Sequence, residues 1–451
     1  MQPAAPIDRS TRARVWWANP LSPLVLIVLP TLFFAWRIDA SAYLAQWKAP
    51  KVLGFSGFAR GIIALLALAI GATAMTGGRF RLAEREQWPL LSSVSRRSLR
   101  RSFFVFYRLT CFAYVVWAGA AVARGLTPQI LVRTVVSLNS FNDALKTYFA
   151  TIPGITTMTQ FAICVVIIGV LLTCDEKDRA ITRRVYLLVG LAVVRAFLRT
   201  ERLAVVELVV PWLVIRSAHR VATTDRSARR LIVRLGPILA LPLLLIGFSL
   251  FEYSRSWTFA RETTNDTFVE YSSYRLIGYY ATSYNNGELY RQNLTDAGRL
   301  PYFTTQFVWD APIISSLVTY EGVVGRPAIG PLLSEKANPE FNSEGGLSQP
   351  YVDFGDAGGA LYFLASGLFI GWMYRLFAGS RLIGMLSYPM IFVSLLEMPR
   401  YLYWSQGRAT PGAIGLVLAA SAAATSARRA SSMSRARAPG RGSASPANAV
   451  K

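Results

Sequence analysis

Histidine and cysteine, the usual sources of soft metal ligands and of nucleophile–base pairs, are scarce in this sequence. The 451 residues include one histidine and three cysteines. His219 falls in a basic segment that we expect on the cytoplasmic side, and Cys111, Cys164 and Cys174 lie in or beside apolar runs. A zinc site, a disulfide framework and an external Ser-His-Asp triad are therefore not expected. We predict no bound metal.

Internal repeats and a cleavable leader are also missing. The two halves of the chain do not resemble each other, and no Gly/Pro-broken apolar segments occupy matching positions in them. This argues against a transporter built from inverted repeats. Basic residues precede the first apolar run, but no small-residue cleavage pattern accompanies it. We therefore predict that 20–37 is retained as a helix.

Long apolar runs dominate what is present. Hydrophobic residues make up 53% of the chain, and they are concentrated in runs long enough to cross a bilayer. We therefore predict an all-α, polytopic integral membrane protein with about ten transmembrane helices. The predicted spans are 20–37, 60–77, 102–123, 153–173, 184–199, 203–216, 233–251, 357–377, 381–397 and 409–425.

Positive charge is the second abundant feature. The net charge is +23, from 48 Lys+Arg against 25 Asp+Glu. The basic residues cluster in short segments between the apolar runs, which is typical of cytoplasmic loops and not of a nucleic-acid-binding surface. Arginine and alanine are abundant, as in proteins of GC-rich bacteria. We predict a protein of the bacterial cytoplasmic membrane with both termini in the cytoplasm and no nucleic-acid partner.

This topology divides the chain into four parts. Residues 1–251 hold the first seven spans, 252–356 form one large external loop, and 357–425 hold the last three spans. The loop is longer than a passive connection requires, so we expect it to fold over the outer membrane face and to carry function. Residues 426–451 are rich in Ser, Ala, Pro and Arg, which predicts a disordered cytoplasmic tail.

Five charged residues interrupt the apolar stretch VVRAFLRTERLAVVELVVPWLV. Arg195 and Arg199 share one helix face near the outer leaflet. Arg202 and Glu201 occupy the external turn, and Glu207 lies deeper in the next span. One interpretation is that the outer arginines reach lipid headgroups while Glu201 pairs with one of them. The other is that they line a site for a lipid diphosphate, because guanidinium groups bind phosphate oxygens bidentately.

Two acidic residues close the external loop in YVDFGDAGG. Asp353 and Asp356 precede the span predicted from 357, where a carboxylate commonly caps the helix N-terminus. Capping is the favoured interpretation for Asp356, whereas Asp353 is equally consistent with a catalytic role. In LLEMPRYLYWSQGR, Glu397 ends the ninth span just within the membrane and precedes Arg400, at a depth where charge is typically functional.

Aromatic and amide side chains are concentrated in SSYRLIGYYATSYNNGELY within the external loop. Arg275 is followed there by Tyr279, Tyr280, Asn285 and Asn286. The tyrosines could pack a small core of the loop. They could also bind sugar, since glycan sites combine apolar ring faces with amide hydrogen bonds.

Taken in order, these segments resemble the oligosaccharide repeat-unit polymerase (O-antigen polymerase) family. The resemblance covers about 150–410 and rests on IPGITTMTQF, RTERLAVVELVVPW, YYATSYNNG, FNSEGG with YVDFGDAGG, and LLEMPRYLYW. It implies a GT-C-like helical glycosyltransferase on the outer face of the cytoplasmic membrane. Such enzymes transfer a growing glycan from its undecaprenyl-diphosphate carrier to the next lipid-linked repeat unit. They need no metal and no nucleotide sugar, and the sequence indeed lacks a DxD motif.

The resemblance and the residue patterns together give a predicted site without cofactors. The predicted diphosphate ligands are Arg195, Arg199, Arg202, Arg275 and Arg400. Glu397 or Asp353 is the predicted catalytic base. The predicted glycan contacts are Tyr279, Tyr280, Asn285 and Asn286. Donor and acceptor are both undecaprenyl-diphosphate-linked oligosaccharides within membrane lipid, and a chain-length regulator and a flippase are further partners that this function suggests.

Two other functions stay open. A ligase of the same fold class would move the finished polymer onto a different acceptor, and sequence patterns do not separate it from a polymerase. A lipid-linked oligosaccharide transporter would need charged residues at mid-depth in several spans. Most membrane charges here lie near the outer side, with Arg108 the main exception, so the transporter is the least favoured of the three.

Overall fold

The computed structural model shows helices connected by turns and short loops. It describes residues 15–78, 88, 89, 91–137, 141–199, 201–223, 235, 236, 238, 242, 245–257, 260–262, 265–294, 300–324 and 329–437. Within these ranges no β-strand occurs. The prediction of an all-α membrane protein is confirmed at this level.

The helices follow the apolar runs of the sequence. They are α1 Leu21–Arg37, α2 Ala40–Trp47, α3 Phe55–Thr76, α4 Ser93–Ala123, α5 Pro128–Ser137, α6 Phe141–Tyr148, α7 Ile155–Cys174, α8 Arg179–Arg199, α9 Leu203–Thr223, α10 Phe268–Leu294, α11 Pro312–Leu317, α12 Tyr320–Val324, α13 Ile329–Lys336, α14 Gln349–Ala378, α15 Leu382–Glu397 and α16 Thr410–Arg437. Residues 245–252 are also helical.

Fewer of these helices have the length and polarity of a membrane span than the sequence predicts. Among the described residues, α3, α4, α7, α14 and α16 qualify, and α1 with α2 forms a sixth candidate bent by 101°. Helices α8 and α9 carry several charged residues, and α15 has only 16 residues. The predicted span 233–251 lies largely outside the described residues. Ten spans therefore remain a prediction.

Two element boundaries differ from the predicted ones. Helix α14 begins at Gln349 and not at 357, because the polar approach segment is already helical before the apolar run starts. Only Gly355 interrupts it, with φ 71°. Helix α16 continues to Arg437, so the predicted tail does not begin at 426. The remainder of that tail lies outside the described residues.

Helices α3 and α14 pack with their backbones in contact. A methyl group added at Gly367 would overlap the carbonyl of Leu68, and one added at Gly371 would overlap the carbonyl of Ala72. Gly71 meets the backbone of α14 in the same way. Small residues at helical spacing allow this close approach. Inside a bilayer the hydrophobic effect does not hold helices together, so their association depends on such close van der Waals packing.

We expect Gly367→Leu to destabilise the protein by about 1–3 kcal/mol or more, since overpacking at a backbone contact forces the helices apart. The measurement is the thermal unfolding midpoint of purified protein in detergent. Gly119→Leu is the matched control, because a side chain at Gly119 on α4 would meet no atom within 4 Å. An equal effect of both substitutions would contradict the packing argument.

The segment predicted as a large external loop joins the helical core. Its main element, α10, is 27 residues long and packs against α1. The Tyr284 hydroxyl donates to the Val28 carbonyl at 3.1 Å and lies 2.9 Å from Thr31 Oγ1. Helix α10 therefore holds the polar residues of this segment against the membrane helices.

Candidate functional site

The turn between α8 and α9 forms the first ion-pair group. Arg195 and Arg199 are four residues apart on α8 and both bind Glu201. Arg195 Nη2 lies 3.0 Å from one carboxylate oxygen, and Arg199 Nε lies 2.7 Å from the other. Arg195 also donates to the Thr159 hydroxyl, and Arg199 donates to the Phe149 carbonyl at 2.8 Å. The predicted pairing of Glu201 is confirmed.

A buried carboxylate extends this group toward the start of α16. Glu207 on α9 is 2% exposed and accepts two hydrogen bonds from Arg408, at 2.5 and 3.1 Å. The Tyr403 hydroxyl donates to the same carboxylate at 2.7 Å. Arg408 Nη1 lies 3.4 Å from Glu201. Arg408 therefore connects the two glutamates of the apolar stretch.

A second ion-pair group lies around Glu252. Its carboxylate is fully buried and pairs with Arg202, and Arg275 Nε binds it at 3.2 Å. Arg275 also pairs with Glu340, whose side chain is 63% exposed. One carboxylate thus holds together an arginine from the α8–α9 turn and one from α10.

The ring of Tyr279 joins the arginines of three separate segments. The guanidinium carbons of Arg202, Arg275 and Arg400 lie 5.1, 6.0 and 5.4 Å from its centroid. Phe341 stacks edge-on against the same ring, and its centroid is 4.7 Å from Arg275. Cation–π contacts of this kind stabilise guanidinium groups that are shielded from water. Tyr279 is therefore an organising residue of the site.

Glu397 closes the cluster. It ends α15, and its carboxylate lies 3.2 Å from Arg400 Nη1. Glu397 also lies near Glu207 and Arg408 of the first ion-pair group. Its partner Arg400 contacts Tyr279, which also contacts Arg202 and Arg275 of the second group. We call the whole set the arginine cluster. Its members are Arg195, Arg199, Arg202, Arg275, Arg400 and Arg408 with Glu201, Glu207, Glu252, Glu340 and Glu397.

All five arginines predicted as diphosphate ligands belong to the arginine cluster. Each of them contacts a protein carboxylate or an aromatic ring; Arg199 pairs with Glu201, and Arg202 pairs with Glu252. The sequence did not assign Arg408, Glu252 or Glu340 to the site. Their positions depend on tertiary contacts, and only the spacing of charge near apolar runs could have suggested them.

Asp353 has structural contacts in place of the predicted catalytic environment. It accepts backbone hydrogen bonds from Tyr302, Phe303 and Thr304 at 2.7–3.2 Å, and one from the Thr304 hydroxyl at 2.8 Å. These bonds fix the segment 302–305 to α14. A carboxylate with four donors has little capacity left to accept a substrate proton.

Asp356 also has a partner. It follows the break at Gly355 in α14, and its carboxylate pairs with Arg291 at 3.1 Å. Its predicted role as a helix cap stays a prediction.

The predicted glycan amides also have structural contacts. Asn285 accepts from the backbone of Val52 and Leu53 at 2.7 and 3.0 Å and donates to Pro50. Asn286 donates to the carbonyls of Phe341 and Ser343 at 2.7 and 3.0 Å. Both amides are buried and tie loops to α10. Tyr280 is half-buried and lies near Glu397 and Arg400.

A short loop from FNSEGG, which we call the strap and define as 341–348, crosses the site between α10 and the turn after α15. Gly345 has φ 74° and donates to the Arg400 carbonyl at 2.9 Å. A side chain at Gly346 would overlap the backbone of Met398 and Tyr401. The Ser343 hydroxyl bonds to Tyr401 at 3.0 Å. Only glycine allows the strap to pass so closely.

Glu344 on the strap is a polar residue that the sequence did not single out. Its carboxylate accepts from Gln349 Nε2 at 2.7 Å, while Gln349 Oε1 accepts from the Leu402 backbone at 3.1 Å. Burial, together with the nearby charge of Asp310, raises the pKa of Glu344 to about 7.

A cavity of about 480 Å³ lies apart from the arginine cluster, beside the C-terminal end of α10. Its lining includes Lys48, Gln292, Asn293 and Lys336. Among the described residues, no group of three or more His, Cys, Asp or Glu side chains is placed to hold a metal ion.

Comparison of the chain with protein-family models, with curated proteins and with solved structures finds no match.

Proposed function

We propose that this protein is a glycosyltransferase of the bacterial cytoplasmic membrane that polymerises undecaprenyl-diphosphate-linked repeat units into a surface polysaccharide. The observation that carries the proposal is the arginine cluster, in which six guanidinium groups from distant segments converge beside membrane helices. Burying so many cations is costly even when they are paired, and charge near membrane helices typically marks a functional site. The ten-span, GT-C-like topology with an outward-facing site is part of the same proposal.

The chemistry of a lipid diphosphate suits this cluster. Guanidinium groups stay charged at any physiological pH and bind phosphate oxygens bidentately. Six arginines face five glutamates, so the cluster retains an excess cation. Arg400 Nε is buried without a hydrogen-bond partner among the described residues. A phosphate oxygen would provide that partner and would replace glutamate oxygens on neighbouring arginines.

Stabilisation of the leaving group is the main catalytic contribution in this proposal. The bond between the sugar anomeric carbon and the diphosphate oxygen breaks, and negative charge grows on that oxygen. The glutamates and Tyr279 already hold these arginines together, so binding this charge exchanges carboxylate oxygens for phosphate oxygens without a large movement of the arginines. Preorganised cations of this kind typically supply several kcal/mol of transition-state stabilisation.

Profiling lipid-linked glycans in a deletion strain tests the function directly. We expect single lipid-linked repeat units to accumulate on the outer leaflet, and long chains to return when the gene is restored. Accumulation of long lipid-linked chains would indicate a ligase, and accumulation of repeat units on the cytoplasmic leaflet would indicate a transporter. A glycan profile identical to that of the parent strain would exclude all three functions.

A further inference from the structure

We propose that Glu344 is the catalytic base that accepts the proton of the acceptor hydroxyl, which refines the proposed function and rests on it. In this step the acceptor oxygen bonds to the anomeric carbon of the donor glycan while the bond from that carbon to the diphosphate breaks. The acceptor proton passes to the Glu344 carboxylate, and the bonding electrons leave with the undecaprenyl diphosphate. No oxidant, reductant or metal is required.

The position of the strap is the first argument. Gly345, the residue after Glu344, donates to the Arg400 carbonyl, and Gly346 lies against the backbone of Met398 and Tyr401. Arg400 contributes its guanidinium group to the arginine cluster. The strap therefore places the backbone of Glu344 next to the turn that carries a predicted diphosphate ligand, while its carboxylate faces Gln349 and Asp310. A base acting on the bond beside that diphosphate has to lie close to this turn.

The partners of Glu344 are the second argument. Glu201, Glu207, Glu252, Glu340 and Glu397 each pair with at least one arginine. Glu344 instead has an amide partner, and it has no ion pair within the part of the chain that the structure describes. A carboxylate bound to guanidinium is a weak base, because protonation would break the ion pair. Glu344 keeps its basicity.

The surroundings of Glu344 agree with this role. Asp310 approaches it from the segment after Trp309, Tyr290 from α10 and Gln349 from α14. Burial and the negative Asp310 raise its pKa to about 7, and the Gln349 hydrogen bond opposes this rise. The Glu344 residue remains partly exposed to solvent. A base whose pKa lies near the working pH is ionised enough to accept a proton and basic enough to hold it.

The test is polymerisation of purified lipid-linked repeat units by the full-length protein in vesicles. We expect Glu344→Gln to slow chain growth on the order of 100- to 10,000-fold, the usual contribution of a general base. Glutamine preserves the size and the carbonyl acceptor for Gln349, so the thermal unfolding midpoint should not fall. Glu344→Asp should retain part of the activity. Glu335→Gln is the matched control, because Glu335 is an exposed glutamate outside the arginine cluster, and its rate should stay at the wild-type value. Glu397→Gln alters the arginine cluster itself and is used only for the shape of its pH profile.

The pH profile separates a base from a structural residue. Below about pH 7 the raised pKa leaves Glu344 protonated, so the wild-type rate should fall by about tenfold per pH unit there and level off above it. The residual rate of Glu344→Gln should lack this limb. The proposal would be overturned if Glu344→Gln kept the wild-type rate or still lost rate below about pH 7. It would also be overturned if Glu397→Gln no longer lost rate below about pH 7. A wild-type protein that forms no polymer would instead refute the proposed function.

Discussion

Replacing Arg202 by alanine is expected to abolish long polymer in cells while leaving the amount of membrane-inserted protein unchanged. Arg202 is the arginine of the α8–α9 turn that binds Glu252, and it also lies over Phe248 and Tyr279 at 4.3 and 5.1 Å. Its loss removes a cation from the proposed diphosphate site. Protein levels should hold because Glu252 keeps Arg275 as a partner.

The size of the effect follows from leaving-group stabilisation. One preorganised cation typically contributes about 2–4 kcal/mol in the transition state, which corresponds to roughly 30- to 1000-fold in rate. A rate lowered to that extent leaves mostly single repeat units in the lipid-linked glycan profile, which is the measurement. Arg202→Lys keeps the charge but not the bidentate geometry, so we expect only partial recovery of chain length.

Arg291→Ala is the matched control for Arg202→Ala. Arg291 lies on α10, as Arg275 does, but it pairs with the exposed Asp356 outside the arginine cluster. Exposed pairs contribute little, so chain length and protein level should both stay normal. Normal chain lengths in Arg202→Ala would contradict the diphosphate site. Equal losses in both variants would show that the effect is general destabilisation.

The five arginines chosen from the sequence lie together in the structure, because charge inside apolar runs is costly and therefore informative. Their role as diphosphate ligands stays a prediction. The sequence could not predict their partners. Arg202 meets Glu252, and Arg275 meets both Glu252 and Glu340, across dozens of intervening residues. Such pairs arise from the way α10 packs on the membrane helices, which no local spacing encodes.

Polar residues chosen by motif were less reliably predicted. Asp353, Asn285 and Asn286 have the side chains of a glycan or acid–base site, yet each one holds a loop in place. The same donors and acceptors serve sugar binding and loop anchoring, so composition does not separate these roles. Glu344 was not predicted as a site residue, because its nearest neighbours in FNSEGG are small or polar and give no sign that its carboxylate is buried. Its neighbours Asp310 and Gln349 come from other segments.

The helix boundaries show the same limit. The apolar pattern located the helices, including α8 and α9, but could not decide whether each one crosses a bilayer. Arg195 is only 7% exposed and Glu207 2%, so protein partners and not lipid surround these charges. The length of an apolar run predicts a membrane span when lipid surrounds the helix. It is a poor guide for helices such as α8 and α9, whose charged residues face other helices.

The largest effect on stability is expected for Arg408→Met, which leaves Glu207 buried without its cation. Glu207 is 2% exposed and accepts two hydrogen bonds from Arg408. Removing one partner of a buried ion pair typically costs on the order of 3–5 kcal/mol. We expect a lower thermal unfolding midpoint in detergent and less protein in the membrane. Tyr403 still donates to Glu207 but cannot neutralise its charge.

Adding Glu207→Gln to Arg408→Met tests whether the buried charge causes this loss. The double variant has no unpaired ion, and glutamine still accepts from the Tyr403 hydroxyl, so much of the stability should return. Polymer should not return, because the cluster still lacks one arginine. If the double variant is no more stable than Arg408→Met, then packing of the Arg408 side chain and not its charge holds the start of α16 to α9. The two readouts, unfolding midpoint and chain length, therefore separate the structural contribution of Arg408 from its proposed contribution to diphosphate binding.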